Sequence, residues 1–158
     1  SASAEHRVRM LNLALSDHRL LYPEEREVEL IVEELEIQRG GTSFMFDTVQ
    51  ELQKRYEITD KIGMVIGDDL LGGLRRWYRF DELRHQVEFI VIRRAAIRPS
   101  QVLPPGVIGT FLENQIMEDS STLVRSLIAS HGVDPEELAS LVPHSVVHYM
   151  GDHGLYRN

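Results

Sequence analysis

The sequence predicts an α/β protein, a parallel sheet flanked by helices. Two short apolar runs, Ile62 to Ile66 and Val87 to Ile92, have the length of strands. The first is closed by Gly67 and the second by Arg93-Arg94. Apolar runs of this length with such breaks read as buried strands rather than helices. Helix-like segments alternate with them along the chain, which is the pattern of a parallel sheet. In open sheets of this kind ligands sit beyond the carboxyl ends of the strands. That directs attention to Lys61–Tyr78, KIGMVIGDDLLGGLRRWY. There a strand ends at Gly67-Asp68-Asp69, a helix-like segment starts at Leu70, and the only tryptophan, Trp77, stands beside Tyr78.

Composition bounds the function classes. The 158 residues, 42% hydrophobic and 27% charged, suit one globular domain with a sizeable core. A formal net charge of −8, with no block of like charge among the 17 Lys and Arg, argues against nucleic acid or an anionic membrane as partner. It leaves room for a small anion held by a local cluster of donors. Without cysteine there are no disulfides, thiolate metal sites or cysteine nucleophiles. No stretch approaches about 18 apolar residues and no secretory signal is visible, so a cytoplasmic protein is expected.

Taken in order, Ser1–Ala4 is featureless. Val8, Leu11 and Leu15 then predict a helix by their three- and four-residue spacing. Glu24–Arg39 holds seven glutamates. The alternation of Val28, Leu30 and Val32 favours a strand over about Glu27–Val32, with helix as the rival. Gly40-Gly41-Thr42-Ser43 predicts a turn and a cap, then a helix to about Tyr56 with Val49 and Leu52 inward. Phe80–His85 is amphipathic and leads into the Val87–Ile92 strand. Arg98–Gly106, rich in Pro, is a loop long enough to act as a lid. Val107–Leu112 and Gln115–Met117 read as short strand pieces. Asp119–Thr122 caps a helix over Leu123–Ser130 that ends at His131-Gly132. Asp134-Pro135 and Pro143 start the last two helices.

Several constellations carry chemistry. Ser120, Ser121 and Thr122 place three hydroxyls and free amides at a helix start, with Arg125 three residues after Thr122. Amides, dipole and guanidinium together can hold phosphate. A plain cap with a surface arginine is the competing reading, and this is no P-loop, because the Gly-rich run and the Lys are missing. Trp77-Tyr78 can stack on a flat ring, or pack in the core. Asp68-Asp69 can meet ribose hydroxyls or a metal, or form a turn. His144 and His148 are four apart with no third ligand evident, and no metal site is expected.

Together these pieces resemble the bacterial nicotinate-mononucleotide adenylyltransferases. GDDLLGGLRRWY is similar to the family stretch built on isoleucine-glycine-x-aspartate and ending in tryptophan-tyrosine. RGGTSFMFDT resembles its glycine-x-serine-tyrosine-threonine-x-aspartate-threonine turn, and IVIRR, SSTLVR and GLYR match in order and spacing. Met45 stands where the family usually has threonine, and Phe44 where it has tyrosine.

The resemblance implies a Rossmann-like nucleotidyltransferase, with ATP and nicotinate mononucleotide as partners and Mg2+ accompanying ATP. It implies that Trp77 stacks on the pyridine ring and that backbone near Tyr78 and Met45 receives its carboxylate. Gly67 and Asp69 would line the adenosine side. Ser120, Ser121, Thr122 and Arg125 would hold the ATP phosphates, with Arg94 approaching from the lid. A homo-oligomer is compatible with it. The family's first strand, Gly-rich turn and His-x-Gly-His motif are not in this sequence. The expectation is therefore a sheet lacking the first strand-helix-strand portion, no catalytic residue within this segment, and little turnover from these residues alone. A non-catalytic nucleotide-binding protein, or an adenylyltransferase for another acceptor such as phosphopantetheine, are the alternatives.

Overall fold

The computed structural model describes residues 2–25, 27–94, 102–114 and 121–157. The chain divides into two compact units, Ser1–Ile37 with Asp119–Asn158, and Gln38–Glu118. Each is described by itself.

The Gln38–Glu118 unit holds a three-stranded parallel sheet in the order β1 (Ile62–Gly67), β2 (Val87–Ile92), β3 (Gly109–Phe111). Ile62 pairs with Val87 and Gly67 with Ile92, and Phe89 pairs with Gly109. The expected α/β class with parallel strands is present. Helix α3 (Met45–Arg55), a 3-10 segment (Asp68–Arg76) and α4 (Phe80–Gln86) accompany the sheet. Their apolar residues meet those of the strands in one core, with Val49, Leu74, Leu83, Val87 and Phe89 at its centre. β1 is half-buried rather than buried on both faces: Met64 and Ile66 point in, while Val65 is 60% exposed.

The segment after β1 is 3-10 over nine residues, long for that geometry. Its sequence explains this. Asp68, Leu71, Leu74 and Trp77 recur every three residues, and side chains three apart align when a turn holds three residues. Asp68, Leu71 and Leu74 are buried and Trp77 is half-buried against the core. Gly72 and Gly73 in mid-segment lower the preference for an α-helix.

The Thr42-Ser43 cap is not formed. The residue before α3 is Phe44, without a side-chain cap. Ser43 Oγ instead accepts from Arg39 Nη1 at 3.3 Å, and Arg39 also binds Glu51 at 2.6 Å. The hydroxyl is drawn to a nearby guanidinium, and Gly40 and Gly41, at φ 68° and 66°, make the turn that allows it.

The other unit is helical among its described residues. α1 (Ala4–Leu21) packs on α7 (His144–Asp152), with α5 (Ser121–His131) and α6 (Pro135–Leu138) beside a core of Ile128, Leu138, Val146, Val147 and Met150. Met10, Leu13 and Ala14 supply the inward face of α1, whereas the expected Leu11 is exposed. Gly132, at φ 81°, ends α5 by donating its N–H to Ile128 O, as the His131-Gly132 stop predicts. Asp134 caps α6 through Glu136 N–H.

The expected strand at Glu27–Val32 is absent. Those residues have no regular structure, and only Leu35–Arg39 becomes helix, α2. Alternation builds a strand only beside a partner edge. Here the Leu30 carbonyl accepts from Arg19 Nη2, and Val28 and Ile31 stay exposed. The expected strand at Gln115–Met117, Ser120, and Arg98–Gln101 of the loop lie outside the described residues.

Candidate functional site

β1 delivers Gly67 to the carboxyl end of the sheet, opposite Ile92 at the end of β2. Two residues further along each chain segment the side chains converge. The Asp68 carboxylate, 3% exposed, accepts the backbone N–H of Arg94 at 2.9 Å. Asp69 and Arg94 face each other with Oδ2 and Nη1 3.9 Å apart, an ion pair wider than a hydrogen bond. Both side chains are about half exposed. A Cβ on Gly67 would collide with Asp69 Oδ1 and lie 2.7 Å from Arg94 Cδ. Glycine is therefore required for this close approach. Asn114 braces the other side: its Oδ1 accepts Arg93 N–H at 2.8 Å and its Nδ2 donates to Arg93 O at 3.0 Å. Gly67, Asp69 and Arg94 thus form one cluster, with an acceptor and a guanidinium open to solvent.

A second region of the same unit is aromatic. The Phe44 and Tyr78 rings stand 4.5 Å apart, tilted by 32°, and Phe46 meets Tyr78 edge-on at 6.4 Å. Met45, between the two phenylalanines in the chain, is 38% exposed. Tyr78 is 47% exposed. Trp77 rests against the core yet keeps part of its surface open, so packing and stacking are both available to it.

Arg79 adds a cation. Its guanidinium lies 4.1 Å over the Phe46 ring, and its Nε donates to Glu82 Oε1 at 2.6 Å. The hydrogen bond from Arg79 holds the Glu82 carboxyl below the usual carboxylate range and raises Arg79 in turn. The Glu82 shift favours folding above the ordinary carboxylate range and fades on acidification. Both side chains are about half exposed, so solvent screens the pair and its weight is small.

Ser121, Thr122 and Arg125 belong to the other unit. They occupy the first turn and a half of α5, with Arg125 Nη2 3.4 Å from Thr122 Oγ1. Ser121 and Arg125 line a cleft of ≈ 290 Å³ together with Val124, Met150 and Tyr156. Sequence reasoning missed Arg79 and Asn114. Arg79-x-x-Glu82 is readable as an i,i+3 ion pair, but nothing local marks Asn114. Among the described residues no three of His, Cys, Asp and Glu gather as a metal site, and no helix is long and apolar enough to cross a membrane.

With glycine, carboxylate and arginine at the carboxyl ends of its parallel strands, this α/β protein gathers polar groups where open sheets of this class place their ligands. Residues 1–127 match the cytidylyltransferase-like family. A probable nicotinate-nucleotide adenylyltransferase of Lactococcus lactis is 32% identical over 98% of this chain and 70% of its own length. The nicotinate-nucleotide adenylyltransferase of Bacillus subtilis is 32% identical over 97% and 71%. The chain belongs to the cytidylyltransferase-like family and, within it, to the nicotinate-nucleotide adenylyltransferases. In fold it is similar to the Plasmodium falciparum nicotinic acid mononucleotide adenylyltransferase complexed with NaAD, with a TM-score of 0.59 at 14% identity. That likeness covers 73% of this chain and 58% of the Plasmodium one. The same Plasmodium enzyme complexed with APC gives a TM-score of 0.60.

Proposed function

We propose that this chain serves adenylyl transfer from ATP to nicotinate mononucleotide, giving deamido-NAD and pyrophosphate in NAD synthesis. Relatives bearing that name over nearly the whole chain support it. The observation that carries it is the partly open Trp77 followed by the Phe44–Tyr78 ring pair, placed after the strand end at Gly67. A phosphate oxygen of nicotinate mononucleotide attacks the α-phosphorus of ATP. The new P–O bond forms as the bond to the β-phosphate breaks, and pyrophosphate leaves. No covalent enzyme intermediate is needed, so the protein's task is positioning and charge stabilisation. Trp77 stacks on the pyridine ring, and the backbone at Met45 and Tyr78 receives its carboxylate. Gly67 and Asp69 take the adenosine, with Arg94 as a cation beside it. Ser120, Ser121, Thr122 and Arg125 hold the phosphates. Mg2+ arrives with ATP as part of the substrate.

Stacking of this kind is worth about 1–3 kcal/mol by truncation. Trp77→Ala is expected to weaken nicotinate mononucleotide about tenfold or more in calorimetric titration and to leave ATP nearly unchanged. Equal loss for both ligands would make Trp77 a packing residue. Tighter capture of phosphopantetheine than of nicotinate mononucleotide would overturn the acceptor.

A further inference from the structure

We propose that His144 and His148 form a two-histidine site for a divalent transition-metal ion on the exposed face of α7. The residues are one helical turn apart, and the structure closes the gap between their rings. The two Nε2 atoms are 3.0 Å apart, with ring centroids at 4.3 Å and planes crossed at 78°. A metal bound to imidazole takes a nitrogen at about 2.0–2.1 Å. Two such bonds at a right angle set their nitrogens about 2.9 Å apart, and a tetrahedral angle sets them about 3.4 Å apart. The observed separation suits neighbouring ligands of a tetragonal ion, the geometry of Cu(II) and Ni(II). Imidazole nitrogen also selects this class over Mg2+ and Ca2+, which take oxygen.

The frame beneath the pair is firm. Val146, Val147 and Met150 bury the opposite face of α7. The first turn is tied to α1, because Ser145 N–H and Oγ donate to Asp17 Oδ2 at 3.0 and 2.8 Å. Both histidines stay exposed. Without metal, one ring N–H donates to the other ring nitrogen. On binding, the donor ring gives up its Nε2 proton and takes one at Nδ1 through solvent, so both rings stay neutral and both Nε2 lone pairs turn to the ion. Among the described residues no further His, Cys, Asp or Glu completes a cluster, so water fills the remaining positions. This makes the site open and exchangeable.

The test is titration of the purified protein with Ni2+ in a non-chelating buffer. His144→Gln and His148→Gln should each weaken the tightest Ni2+ event tenfold or more, while His131→Gln, at an exposed histidine on α5, should not. In NMR spectra the His144 and His148 ring signals should broaden together, ahead of the other five histidines. Mg2+ at the same concentration should leave them unchanged. Unaltered Ni2+ affinity in both glutamine variants would overturn the proposal. So would broadening spread evenly over all seven histidines.

Discussion

Gly67 has an ordinary extended backbone, φ −77°, so the absence of a side chain matters there for space and not for conformation. A methyl group would press on Asp69 Oδ1 and Arg94 Cδ. Both are side-chain atoms that can swing away, so Gly67→Ala is expected to leave the thermal midpoint within a few degrees of wild type. The Asp69–Arg94 pair would be displaced. ATP affinity should fall several-fold in calorimetric titration, with nicotinate mononucleotide little changed. Unchanged ATP affinity would remove this cluster from the nucleotide site. Asp68 illustrates the same scale differently. A carboxylate buried at the strand end accepts the Arg94 amide, fixing where the adjoining guanidinium starts.

At the scale of elements, the β2–β3 pairing depends on a glycine. The Phe89 N–H donates to Ile108 O at 3.0 Å, and Leu112 N–H to Val91 O at 2.9 Å. Gly109 lies between these bonds, opposite Phe89. A Cβ there would stand 2.5 Å from the Phe89 carbonyl oxygen, which is backbone and cannot rotate aside. Gly109→Ala should cost on the order of 1–3 kcal/mol, as overpacking does. Gly72→Ala, with nothing within 4 Å of the added carbon, serves as the control. Urea denaturation should show a lower midpoint for the first variant alone. Equal midpoints would mean that β3 yields without cost. The 3-10 segment belongs to this scale as well, since its three-residue spacing turns Leu71 and Leu74 toward one core while delivering Trp77 at its end.

For the whole molecule, charge decides which polyanions are admitted. With 25 acidic and 17 basic side chains, long-range repulsion opposes extended polyanions. A short anion can still use local donors, such as Arg94 beside Gly67 or Arg125 beside Thr122. Labelled DNA is expected to show no anisotropy change with protein up to about 100 µM at 0.1 M salt, the weak limit of ordinary non-specific affinity. Saturable binding below that would reveal a basic surface that the net charge conceals.

By itself the sequence determined β1, β2, α3, α4 and the three C-terminal helices. Each is written in local periodicity or in boundary signals, such as the stop at Gly132 and the start at Asp134-Pro135, which need no distant partner. It also pointed to Gly67, Asp69 and Trp77, because a strand end, a glycine and a lone aromatic are neighbours in the chain, and to Arg94 as a cation at the end of the second apolar run. The tertiary structure decided what depends on residues brought from afar. Glu27–Val32 has the alternation of a strand, yet no edge pairs with it, and an arginine from α1 takes a carbonyl instead. Asn114 reaches Arg93 across 21 positions, and Arg79 finds its ring on α3. His144 and His148 show their spacing in the sequence, but the 3.0 Å between their nitrogens depends on how α7 is seated. Periodicity is set by one stretch of chain, whereas a ladder partner or a side-chain contact exists only after loops have closed and their entropy has been offset.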